Sequence, residues 1–279
     1  MKELKENSKI LIVLSFFNLF ILYNYIQNGK TLHGIGYFLF FYVSILIIYF
    51  FTEKFPPKNE ITVKNPKKEF FTIFIFTLLG ILFISINFYL KSSQPNLGFL
   101  IKLPVIIGMF LFTIPIGILI YLLKKKYKIM ELGLKTKPIS FLFLGIFISG
   151  LTGLFSFAFN KNGIMISEAY KEFGGILGMI LEGLIGAALV EEFMRFALQS
   201  RFEKLFKING FHILFATIIW AFMHFPVNHF KGDELNSNVI YCIQIIPIGF
   251  VWGYLTHRTK SILPSVLVHG TNFWGLQNG

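Results

Sequence analysis

Long apolar runs separated by short polar, lysine-bearing stretches make up most of this chain. The runs cover 9–27, 32–51, 70–90, 100–123, 139–159, 174–198, 209–226, 238–256 and 262–277. About twenty mostly apolar residues in helical form cross the hydrocarbon layer of a bilayer. The pattern therefore predicts an all-α, polytopic membrane helix bundle of about eight to nine transmembrane spans, the short last run accounting for the range. Little chain is left over for a large soluble domain. Residues 1–9 are charged and lead into a long run with no small-x-small cleavage pattern, which predicts a retained first span rather than a cleaved signal.

Composition agrees with the pattern. Hydrophobic residues are 54% and charged residues 14% of the 279, and mean hydropathy is +0.66. One globular core cannot hide that much apolar surface, so a soluble enzyme and a disordered chain are excluded. The single Cys242 rules out an intrachain disulfide. The net charge of +12 sits in short lysine runs between apolar stretches. That is the distribution of cytoplasmic loops and not of a nucleic-acid surface, so the expected surroundings are the lipid bilayer, with no nucleic acid. With nine spans and a cytoplasmic N-terminus, every Lys and Arg falls on the cytoplasmic side except Lys30, Lys91, Lys102, Lys161, Lys171 and Lys231. This predicts a multi-pass protein of the cell membrane with its C-terminus outside.

Ionisable residues within membrane spans are costly and mark function by default. The first five spans carry few of them. The sixth carries Glu182, Glu191, Glu192 and Arg195; the seventh His212 and His224; the ninth His269 with Asn272. Residues 1–135 thus form an accessory bundle, and 136–279 hold the polar cavity. Arg195 is spaced to meet either Glu191 or Glu192, Glu182 points away from Glu191, and His269 and Asn272 share a face. His212, His229 and His257 lie near span ends and take no role. The stripes Gly145/Ser149/Gly153 and Gly174/Gly178 are spaced for close helix packing.

Inventory narrows the chemistry. Asp233 is the only aspartate, and neither H-E-x-x-H nor G-x-S-x-G occurs. A glutamate–histidine site that activates water remains, with or without metal, since one carboxylate and two histidines also suit zinc with an open position. One geometric demand follows. Glu191 lies towards the cytoplasmic end of its run and His224 towards the far end of its own. Tilt, a longer sixth helix or a late start to the seventh must bring them level.

Three short segments carry a resemblance. Glu191-Glu192-Phe193-Met194-Arg195 is similar to E-E-x-x-x-R with the arginine one position early. Trp220-Ala221-Phe222-Met223-His224 is similar to F-x-x-x-H with Trp for Phe. His269-Gly270-Thr271-Asn272 is similar to H-x-x-x-N with the asparagine one position early and Phe273 in its place. In order and spacing, over about 175–275, they resemble the CPBP family of intramembrane glutamic endopeptidases. That family includes the CAAX-prenyl type II endopeptidases and bacteriocin-processing or immunity proteins.

The resemblance implies a hydrolase that cleaves a peptide bond in a membrane-associated protein or peptide. It makes Glu191 the general base, His224 its partner on the water, and His269 with Asn272 the oxyanion donors. Glu192 and Arg195 support them, and no cofactor is called for. Two rivals come from other classes. One is an inactive membrane scaffold that binds a partner through the same cavity. The other is a proton-coupled transporter, against which the lack of matched halves counts.

Overall fold

A computed structural model describes residues 8–93, 99–108, 111, 116–159, 170–171, 174–206, 210–230 and 234–272, and all regular structure among them is helical. The first helices are α1 (Ser8–Gln27), α2 (Thr31–Lys54), α3 (Pro66–Ser93), α4 (Phe99–Gly108), α5 (Ile116–Lys124) and α6 (Ser140–Phe159). The short α7 (Ile176–Gly178) runs into a π-helical segment, Met179–Leu189, and on into α8 (Val190–Phe206). Then come α9 (Phe211–Met223), α10 (Phe225–Phe230), α11 (Leu235–Gln244), α12 (Ile246–Thr259) and α13 (Leu263–Thr271). Five of the helical stretches, 10–27, 31–54, 66–93, 140–159 and 235–259, are long and apolar enough to cross a membrane. Large apolar side chains such as Phe16, Phe50, Phe143 and Phe157 stand on their outer surface. A water-facing surface does not carry that many. The chain is an all-α membrane helix bundle, as its pattern of runs predicts.

The remaining expected spans take broken or shifted forms. Residues 109–110 and 112–115, in the fourth, and 273–277, in the ninth, lie outside the described residues. In the seventh, Pro226 has no N–H to offer the carbonyl of Phe222, and α9 stops at Met223. The amide of His224 turns back to Ala221 O at 3.2 Å, so His224 stands at a helix end. The sixth continues past residue 198 to Phe206. Glu191 is therefore near the middle of a helical rod from 176 to 206, not at its end. Because α8 packs along α9, this longer helix is what brings Glu191 level with His224.

Packing follows small residues. The Gly145/Ser149/Gly153 face of α6 is buried, and a Cβ on Gly145 would stand 2.8 Å from the carbonyl oxygen of Pro264 in α13. Gly174 has no such neighbour among the described residues. A pair not singled out in the sequence, Gly249 and Gly253 on α12, matters more. A Cβ on Gly249 would meet the Trp220 ring at 2.6 Å, and one on Gly253 would meet Ile213 at 2.7 Å. Bare backbone here lets α12 lie against α9. On α13, a Cβ at Gly270 would fall 2.5 Å from Leu184 Cδ1 and 3.2 Å from Leu184 Cα, so α13 rests directly on the π-helical segment.

Two core clusters hold the bundle, and both take residues from before and after residue 135. Phe41, Ile45 and Ile48 pack with Ile148, Leu214, Val251 and Trp252; Phe70, Ile73 and Leu122 pack with Met194, Phe202 and Ile262. Two ion pairs pin helix ends. Buried Arg201 of α8 donates from Nε to Glu69 of α3 at 3.2 Å, and Tyr127 donates to the same carboxylate at 2.7 Å. Burial, reinforced by that hydrogen bond, pushes the Tyr127 hydroxyl up to about 12, so it stays a donor through neutral pH. Arg258 of α12 donates to Thr52 Oγ1 at 2.8 Å and Glu53 Oε1 at 2.6 Å at the end of α2.

Replacing Glu69 with alanine strands a buried guanidinium. The expected cost is about 3–5 kcal/mol, measured by thermal unfolding of the protein in detergent, with most of it recovered in Glu69→Leu/Arg201→Met. Gly270→Val forces α13 away from Leu184. It is expected to destabilise by about 1–3 kcal/mol, whereas a valine at exposed Gly150, with nothing within 4 Å of its Cβ position, has little effect.

Candidate active site

Four helices bring the polar residues together. Glu191 and Glu192 open α8, Trp220 and His224 close α9, Gly249 and Trp252 lie on α12, and His269 lies near the end of α13. The π-helical segment, a rare geometry met mostly at functional sites, ends directly before the two glutamates.

Glu192 is the buried hub. Its Oε2 takes a short hydrogen bond from Arg195 Nη2, and its Oε1 lies 3.0 Å from His269 Nδ1. Of the two partners that spacing allows, Arg195 takes Glu192, one helical turn away. Its Nη1 donates to Gly249 O at 2.7 Å, the carbonyl that the missing Cβ leaves reachable. The guanidinium also lies 5.6 Å from the Trp220 ring centre and 5.8 Å from that of Trp252. Arg195, Glu192 and His269 are almost wholly inaccessible, so each charge is met by a partner, as a buried charge must be.

Glu191 faces the other way, and it and His224 keep about a quarter of their side-chain surface exposed. Its Oε2 accepts from Trp220 Nε1 at 2.5 Å. The same oxygen is 3.6 Å from His269 Nε2 and 4.0 Å from His224 Nε2. Trp220 is the residue at which the second motif has phenylalanine, and its indole N–H is the donor that phenylalanine lacks. Trp252 stacks on His269 with ring centres 3.9 Å apart and 23° between planes.

Hydrogen-bond logic sets the tautomers. His224 Nδ1 is 3.0 Å from Trp220 O. A carbonyl only accepts, so Nδ1 carries the proton and, in the neutral ring, Nε2 is an acceptor aimed at Glu191. His269 Nδ1 donates to Glu192 by the same reasoning. Two acceptors, Glu191 Oε2 and His224 Nε2, therefore face each other across a gap too wide for a direct hydrogen bond and suited to one molecule that donates to both.

Asn272 caps α13. Its Oδ1 is buried without a hydrogen-bond partner, and no hydrogen bond joins it to the carboxylates among the described residues. Phe273 lies outside them. Glu182 is exposed on the π-helical segment, away from the cluster. Trp252, Gly249 and Gly253 went unnoticed in the sequence. The two glycines carry a signal in the small-x-x-x-small spacing that this stretch shares with α6.

A match to a known family falls on this region. Residues 173–274 match the family model described as type II CAAX prenyl endopeptidase Rce1-like. An uncharacterized protein of Bacillus subtilis (strain 168), YyaK, is 32% identical over 95 residues, which cover 32% of this chain and 31% of that protein. The chain thus spans about a third of the length of the curated relative that it matches. No solved structure matches it. The stretch that folds around Glu191, His224 and His269 is thus similar to the Rce1-like type II CAAX prenyl endopeptidases, the protease family that its three motifs resemble.

Proposed function

We propose that the protein is an intramembrane endopeptidase of the glutamic type, which hydrolyses a peptide bond in a membrane-associated protein or peptide. The observation that supports this most directly is the opposed pair of acceptors. A water held between Glu191 Oε2 and His224 Nε2, 4.0 Å apart, donates both protons and turns its lone pairs towards a substrate carbonyl.

The reaction then runs in two steps. Water oxygen attacks the carbonyl carbon while its proton passes to Glu191, leaving a tetrahedral oxyanion. The protonated Glu191 next gives that proton to the departing amide nitrogen, the C–N bond breaks, and a carboxylic acid and an amine leave. His269 donates from Nε2 to the oxyanion in its imidazolium form, held in register by Glu192 on Nδ1 and by the face of Trp252. Asn272, whose amide is not committed to the carboxylates, is the second donor once substrate is bound. Arg195 fixes Glu192. This reading needs no metal at Glu191. Residues 1–135 act as an accessory bundle around the domain, and the N-terminus faces the cytoplasm.

Three measurements test the reading. Cleavage of candidate membrane peptides by the purified protein is expected to fall by about 10²–10⁴-fold in Glu191→Gln, which keeps shape but cannot take the proton. Full function in cells carrying Glu191→Gln at normal protein levels would instead make the cavity a binding site for a partner. Glu191→Ala and His224→Ala are expected to be non-additive, the double variant losing little beyond either single one. For orientation, reporter fusions at residues 130 and 279 are expected on opposite sides of the membrane.

A further inference from the structure

A second cluster of ionisable side chains lies away from Glu191, at the other ends of the same helices. Glu203 is near the end of α8, His212 is the second residue of α9, and His257 is near the end of α12. His212 Nε2 and His257 Nδ1 are 3.1 Å apart, and His257 Nδ1 is 3.8 Å from Glu203 Oε2. One ligand atom from each residue lies within 4.8 Å of the other two. We propose that Glu203, His212 and His257 form a binding site for a divalent transition-metal ion of the zinc class, which clamps α8, α9 and α12 together.

The distances suit such an ion. Zinc takes nitrogen and carboxylate oxygen at about 2.0–2.2 Å, so neighbouring ligand atoms on a tetrahedron stand roughly 3.2–3.6 Å apart. The separations of 3.1 and 3.8 Å bracket that range, and all three ligand atoms lie within 4.8 Å of one another. Two imidazoles and one carboxylate favour zinc and its neighbours over magnesium or calcium, which want oxygen. Three protein ligands leave a fourth position open. His212 is buried while Glu203 keeps a third of its side-chain surface exposed, which gives the ion a way in and a place for water. Without metal, one ring N–H bonds the nitrogen of the other ring; an ion takes both lone pairs once the donating ring moves its proton to its other nitrogen.

The position on the helices separates this site from the first. Glu203 is twelve residues beyond Glu191, about 18 Å along α8. His212 precedes Trp220, and His257 follows Gly249, by eight residues each, about 12 Å. The ion ties the helix that carries the glutamates to the two whose close approach at Gly249 places Trp220 and Arg195. Its role is to fix the register of those helices. The inference rests on residues outside the proposed peptidase chemistry and stands or falls without it.

The test uses the full chain in detergent, stripped with chelator and titrated with Zn²⁺ by calorimetry and with Co²⁺ by the visible bands of its tetrahedral form. Glu191→Ala is run beside wild type to remove the other carboxylate as a ligand. Both proteins are expected to bind one equivalent. His212→Gln and His257→Gln are expected to bind about a hundredfold or more weakly, since loss of a direct ligand costs more than the tenfold to hundredfold typical of an outer partner. Glu203→Gln, on the accessible side, is the variant least exposed to folding failure and is expected to weaken binding at least about tenfold. Zn²⁺ is expected to raise the thermal midpoint of wild type and Glu191→Ala but not of the histidine variants. Absence of binding by wild type overturns the proposal and leaves a hydrogen-bonded histidine pair beside a carboxylate. Equal binding by all variants, or loss of the equivalent in Glu191→Ala, overturns it too by placing the ion elsewhere.

Discussion

A carboxylate buried in a membrane protein must be satisfied on both oxygens, and Glu192 meets that demand with Arg195 on one and His269 on the other. The rest of the domain is organised by this requirement. Arg195 in turn needs acceptors, and it finds one in Gly249 O because glycine lets α12 come close. His269 needs a face to lie on and finds Trp252. Two helices, α12 and α13, are tied to α8 through Glu192 and its partners, with little water present to replace a missing one. Loss of any member leaves another buried and unpaired, which costs more than the lost contact itself.

That lattice leaves Glu191 as the exception. It is the neighbour of the hub on the same helix, yet it faces outward, partly exposed, with Trp220 as a fixed donor and two imidazoles at 3.6 and 4.0 Å. The buried residue gives rigidity and the exposed one keeps unfilled hydrogen-bonding capacity. Such a division is what a water-activating site needs, because the reacting groups must be held within a fraction of an ångström by neighbours that do not react.

Proline and glycine set the local geometry more than the apolar runs do. Pro226 ends α9 at His224, and Gly249 and Gly270 remove the side chains that would hold α12 from Trp220 and α13 from Leu184. At the opposite helix ends, Arg201 with Glu69 and Arg258 with Glu53 tie the domain to α3 and α2. The first helices thereby share their cores with the motif-bearing half.

The apolar runs by themselves determined an all-α membrane bundle, because runs of about twenty apolar residues have few other stable forms. They also singled out Glu191, Glu192, Arg195, His224 and His269, because ionisable groups are rare there. What they could not decide was which pairs form. Helical spacing allowed Arg195 to reach either glutamate, and only the positions of Gly249 and His269 around it assign it to Glu192. The runs also put Glu191 at a helix end, since the polar stretch after residue 198 looks like a loop. Tertiary packing keeps it helical, as Arg201 and Phe202 are buried against Glu69 and Phe70 of α3. Contacts between residues more than a hundred positions apart made that choice, and no local pattern records them.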